Sequence, residues 1–212
     1  MKTSSNALFN ITSISTEGQE IVVSTNHQFS DYLAQYPDEL PQLEAQQFTE
    51  TSGVDDSLNC HCYAVRLNSG YDGPADLLAL YMDAQEAHSA VIEWFACMDY
   101  TATNLDQEPD PFKRNPRKEK IIVFGITPQG ARDILASNKR ISDELKSTLA
   151  TVVKFNDGVV YPTHSICQKI NGSWESKMGS GPVIEIGDPK LLGGGVYGEA
   201  CFVFEKKRFI TS

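Results

Sequence analysis

Thr163-His-Ser-Ile-Cys-Gln-Lys-Ile170, Asn171-Gly172 and Ser173-Trp-Glu-Ser-Lys-Met178 form two β-prone runs joined by an Asn-Gly pair. Asn-Gly supplies the positive φ angles that a tight hairpin turn demands, so this stretch predicts a β-hairpin. Upstream, Thr151 to Phe155 and Val159 to Ile170 read as strands separated by the Asn156-Asp-Gly158 turn. Downstream, Gly193-Gly-Gly195 leads to a closing strand from Ala200 to Phe204. The last third is therefore a meander of strands.

The preceding residues carry helical patterns. Pro74 to Tyr100 places Leu77, Leu78, Tyr81, Ala84, His88, Val91, Ile92 and Phe95 on one apolar stripe, and a further helix is expected near residues 29 to 36. Asn59-Cys-His-Cys-Tyr-Ala-Val-Arg-Leu67 spaces Cys60, Tyr63, Ala64 and Leu67 as a helix behind polar capping residues. Lys120 to Gly125 reads as a buried strand, and Pro128 to about Leu149 as one helix. A short strand or hairpin is expected around Glu20 to Ser24. Helices first and antiparallel strands afterwards predict an α+β fold.

The 212 residues suit one domain, 1–212, with an N-terminal extension over 1–54, a core over 55–205 and an exposed, proline-broken connector over 101–118. The net charge of -10 opposes binding to nucleic acid, and the basic run from Lys113 to Lys120 reads as a solvated linker. No stretch approaches the length of a membrane span, and the first residues lack a signal-peptide pattern. The expected location is cytoplasmic, or outside the cell through a signal-peptide-independent secretion system.

Five cysteines without paired spacing fit a reducing compartment, with Cys97 and Cys201 expected to pack in apolar surroundings. Cys60, His61 and Cys62 are adjacent soft ligands, but structural zinc takes a second ligand cluster, which the sequence lacks. His61 and Cys62 are expected to turn away from Cys60, one packed and one partly exposed. No cofactor is expected. The triple glycine lacks phosphate-loop spacing and reads as a tight turn against packed backbone.

A thiol at a helix N-terminus beside an imidazole is the chemistry of a nucleophilic cysteine. Cys60 followed by Tyr63-Ala64, then Thr163-His164 on a strand that returns through Asn171-Gly172, resembles the papain-like cysteine peptidases and amidases of the CHAP and NlpC type. The Asn59-Cys60, Tyr63-Ala64, Thr163-His164, Gly172-Ser-Trp174, Ser176-Lys-Met-Gly179 and Tyr197-Gly198 motifs also resemble uncharacterised bacterial proteins that share this set. The first resemblance implies a papain-like core, with N-terminal helices on a small antiparallel sheet. It also implies Cys60 as nucleophile, His164 as base and then acid, and the Cys60 amide with a neighbouring side chain as the oxyanion site.

Twelve residues beyond the histidine, where the NlpC type carries its orienting polar group, stands Ser176. Strand parity leaves the third residue open: a two-residue turn puts Glu175 on the face of His164, and one added bulge residue puts Ser176 there. The implied activity is cleavage of an amide in a peptide or protein, a peptidoglycan peptide among them. A glutamine deamidase or transglutaminase-like effector uses the same acyl-enzyme, and a non-catalytic binding module would keep the same core.

Overall fold

Lys118–Ile126, rich in β-branched residues, forms β3, which pairs antiparallel with β4 (Tyr161–Gln168) on one side and β7 (Glu199–Lys207) on the other. The computed structural model describes residues 28–53, 57–103, 110 and 112–208. β5 (Trp174–Lys177), β6 (Val183–Ile186), β1 (Phe48–Glu50) and β2 (Thr101–Thr103) complete a seven-stranded sheet in the order β1-β6-β5-β4-β3-β7-β2. Its pairings are all antiparallel, and with the five α-helices found among the described residues the fold is α+β.

Alternation along the strands sends side chains to two separate cores. Ile122, Phe124, Ile166, Trp174, Ile184 and Val203 meet Phe29 and Leu33 of α1 (Gln28–Gln35), together with Leu40 and Leu43. On the opposite face, Ile121, Val123, Cys167 and Phe204 meet Ala64 of α2 (Cys60–Ala64) and Val91 and Phe95 of α3 (Ala84–Ala96). At one end of the sheet, α4 (Pro128–Ala136) and α5 (Asp143–Val152) enclose Ile126, Ala131, Leu149 and Val196.

Residues 28–50 thus build core and sheet edge rather than an appended extension. Glu39 ties them to the start of α5, accepting from the Ser142 amide at 2.8 Å as well as from Tyr32 Oη at 2.6 Å. The strand expected at residues 20–24 lies outside the described residues.

Several expected elements are divided or shortened, each at a capping residue. The long helix over 74–100 is a 3-10 turn, Pro74–Leu77, followed by α3, because Asp83 accepts from the amides of Gln85 and Glu86 and starts a new helix. The helix over 128–149 is α4 and α5: Thr127 caps the first through the Gly130 amide, and Ser142 caps the second. Residues 151–155, expected as a strand, finish α5 and turn, with Val152 buried. The connector holds β2, and Lys120 of the basic run is buried in β3, where its Nζ donates to the Lys113 carbonyl at 3.0 Å.

The glycine-rich loop is closed by backbone bonds, with the Val196 amide donating to Glu39 O and Gly194 to Gly198 O, both at 3.0 Å. A Cβ at Gly195 would collide with the Glu39 carbonyl, and one at Gly198 with that of Gly125. Only glycine admits this approach.

Candidate active site

β5 pairs with β4 only between Ile166 and Gln168, so the segment of β4 carrying Pro162, Thr163, His164 and Ser165 runs beyond the end of its neighbour. The first turn of α2 takes up the edge left there. Asn59 caps it, its Oδ1 accepting from the Cys62 amide at 2.8 Å, while its Nδ2 donates to the carbonyls of Tyr71 and Asp72. The helix is one short turn, ending at Ala64 rather than Leu67.

Cys60 opens this turn and is buried. Burial pushes its thiol up to about 11, while the amides of Ser165, Cys60 and His61, directed at the sulfur, pull the other way. The opposition is uneven because a five-residue helix has little dipole to offer. No hydrogen bond joins Cys60 to His164 among the described residues; the thiol meets β4 at the amide of Ser165, the next residue along.

His164 and Ser165 leave β4 on opposite faces. The His164 Nε2 lies 2.7 Å from Ser176 Oγ, and Ser176 donates onward to Met178 Sδ at 3.1 Å. With the hydroxyl proton directed to sulfur, Ser176 Oγ accepts from Nε2–H and leaves the Nδ1 lone pair free. The Tyr197 ring lies flat on the imidazole, centroids 4.0 Å apart and planes 3° apart. Burial, reinforced by the nearby His61, depresses His164 to about 3, so it is neutral across the physiological range.

The hairpin after β4 settles which residue shares its face. Lys169 and Ser173 bracket a three-residue loop, 170–172, with Gly172 at φ 101°, so Ile166 faces Ser176 and Cys167 faces Glu175. The Asn-Gly pair is thus part of the longer turn, with one added residue, which of the two alternatives left open is the one that puts Ser176 on the face of His164. Glu175 lies on the other face, ion-paired to Arg66 at 2.9 Å and Lys169 at 3.5 Å, away from His164.

His61 and Cys62 are both buried, where one was expected to be partly exposed. His61 Nδ1 lies 2.7 Å from Ser165 Oγ, so His61 faces the same residue of β4 as the Cys60 thiol rather than turning away from it, whereas Cys62 Sγ donates to Asp72 O at 3.1 Å and does turn away. Cys97, expected inside, is exposed at the end of α3.

Beside this group lies a cavity of about 210 Å³, whose wall includes Asn59, His61, Thr163 and Tyr197 as well as Leu149 of α5. Asn59 and His61 flank Cys60 in the chain, and Thr163 precedes His164. Sequence reasoning passed over Tyr197 and the lining role of His61. Their signals were the Tyr197-Gly198 motif and the position of His61 next to the candidate nucleophile.

Among the described residues, no helix is long and apolar enough to cross a membrane. No curated protein and no solved structure matches the chain. A family described as a domain of unknown function, DUF7689, matches residues 135–205, a stretch that contains His164, Ser176 and Tyr197 but not Cys60.

Proposed function

We propose that the chain is a papain-like cysteine hydrolase acting on an amide bond, with Cys60 as nucleophile and His164 as general base and then acid. The observation that supports this most is the 2.7 Å His164–Ser176 hydrogen bond, which occupies Nε2 and leaves Nδ1 as the nitrogen available to a thiol. The order of parts agrees: a cysteine at the start of a helix, a histidine on an antiparallel strand, and a polar partner on the returning strand.

The resting pair is a neutral thiol and a neutral imidazole, since burial raises one and lowers the other. Proton transfer then accompanies attack rather than preceding it. The sulfur bonds to the carbonyl carbon as its proton passes to His164, the amine leaves with that proton, and water releases the acid from the thioester. Substrate binding must bring sulfur and imidazole together, as active-site hydrogen bonds commonly tighten only in the complex.

A second reading, a non-catalytic binding module, is favoured by the burial of Cys60 and His164. Incubation with p-nitrophenyl acetate separates the two. The hydrolase reading expects a stoichiometric burst of nitrophenolate with an acetyl group on Cys60, lost in Cys60→Ala; no burst, or one that survives that substitution, supports the binding module. Mass spectrometry of peptide and glutamine-containing substrates then distinguishes chain cleavage from loss of ammonia.

A further inference from the structure

We infer that His61 is the oxyanion donor of this site, its Nε2–H directed into the 210 Å³ cavity to bind the carbonyl oxygen of the substrate. The inference rests on the hydrolase reading above and adds a residue to it.

The ring is held at one nitrogen and open at the other. Nδ1 lies 2.7 Å from Ser165 Oγ, and Ser165 is fully buried with no other side-chain hydrogen bond among the described residues. A buried hydroxyl proton left without an acceptor costs about 1–3 kcal/mol. Ser165 O–H therefore donates to Nδ1, which fixes the proton of a neutral imidazole on Nε2.

The other edge of the ring points toward the cavity. A Cβ on Gly73, another lining residue, would lie 2.7 Å from His61 Cδ2 and 3.5 Å from Nε2. The edge of Trp94 packs against the ring, centroids 6.4 Å apart, so the imidazole is braced as well as hydrogen-bonded.

A donor to an oxyanion must stay neutral and fixed, so that charge developing on oxygen meets an oriented N–H and not a mobile acid. Burial holds His61 near 4, well below the usual imidazole range. When Cys60 sulfur bonds to the carbonyl carbon, the π pair moves to oxygen, and that oxygen accepts from His61 Nε2–H. The thiol proton goes to His164, so His61 neither gains nor loses a proton. Its role is thus separable from that of the base.

The separation supplies the test. Acetylation of Cys60 by p-nitrophenyl acetate passes through an oxyanion, whereas alkylation by iodoacetamide is displacement at a saturated carbon and does not. In folded His61→Leu protein, acetylation is expected to fall on the order of 10²–10³-fold, as for loss of one oxyanion donor, with alkylation within about threefold of the unsubstituted protein. His61→Gln, which retains a neutral N–H donor, restores acetylation to within roughly tenfold.

Ser165→Ala provides a second variant should the leucine protein not fold. It releases the tautomer and is expected to slow acetylation about tenfold without slowing alkylation. Equal losses in both reactions, or no loss in acetylation, would overturn the donor assignment while leaving a Cys60-dependent burst intact. Absence of that burst from the unsubstituted protein overturns the hydrolase reading first, and the donor role with it.

Discussion

The imidazole of His164 and the phenol ring of Tyr197 lie face to face, 4.0 Å between centroids and within 3° of parallel. Tyr197, which also lines the cavity, thereby covers one face of the imidazole. Tyr197→Phe should keep the stack and leave stability within about 1 kcal/mol, whereas Tyr197→Ala should cost ~2–4 kcal/mol through lost packing. In the alanine variant, water reaches the imidazole and its pKa should climb from about 3 toward its ordinary value, since burial is the chief cause of the depression. Nitrogen-detected NMR titration of His164 reads this directly; an unmoved titration in a folded alanine variant would contradict the shielding role.

Stability should fall steeply in mild acid because both buried histidines must be neutral to stay folded. Their folded pKa values, about 4 for His61 and about 3 for His164, lie below the ordinary 6.5. The unfolded chain therefore binds more protons between those limits, and the contribution present above pH 6.5 is lost as pH falls toward the folded values. At pH 5 the loss is ~2 kcal/mol for each histidine, about 4 kcal/mol together. Urea midpoints at pH 7.5 and 5 measure it, and His61→Gln should remove roughly half the difference.

Cys60 should alkylate slowly at neutral pH, with a rate that rises nearly tenfold per pH unit toward its thiol pKa of about 11. Cys60→Ala removes this reaction and Cys62→Ala leaves it, because the Cys62 sulfur is turned to the Asp72 carbonyl. A rate already at plateau in mild acid would mean a preformed thiolate–imidazolium pair instead of the neutral one.

Ser176→Ala and Glu175→Gln should behave differently despite being neighbours. Loss of the Ser176 hydroxyl leaves a buried His164 N–H without its acceptor, at ~1–3 kcal/mol, and should reduce Cys60 acetylation at least about tenfold. Glu175→Gln loosens the ion pairs with Arg66 and Lys169 at a cost of ~0–1 kcal/mol and should not change acetylation. The reverse order would place Glu175 on the catalytic face, against the observed register.

Periodicity and turn chemistry carried much of this architecture. The strand at 118–126, the histidine hairpin and the helix starting near residue 28 were readable because each has a clear repeat or a turn signal. What failed was the placement of breaks. Asp83 and Ser142 cap new helices inside apolar stripes that continue across them, so the stripe conceals the interruption. β6, with only four residues, was not recognised, and β1 owes its pairing to that distant partner. At the site, the choice between Glu175 and Ser176 hinged on one loop residue that Asn171-Gly172 alone does not determine. The stacking of Tyr197 and the cavity face of His61 arise from tertiary contact, to which a single sequence gives no direct access.

The strand order also governs how the chain reaches its native state. β1 pairs through Phe48 with Ile186, and β2 through Thr101 with Glu205, so both edge strands wait for partners synthesised much later. The inner strand β3 is likewise flanked by β4 and by β7, the last strand of the sheet to leave the ribosome. Such distant pairings make for slow, high-contact-order folding and leave apolar edges uncovered on the nascent chain. Until β7 emerges, the hydrogen-bonding edge of Ile121–Val123 that it will cover is open to other strands, and chaperone binding to that interval would limit aggregation.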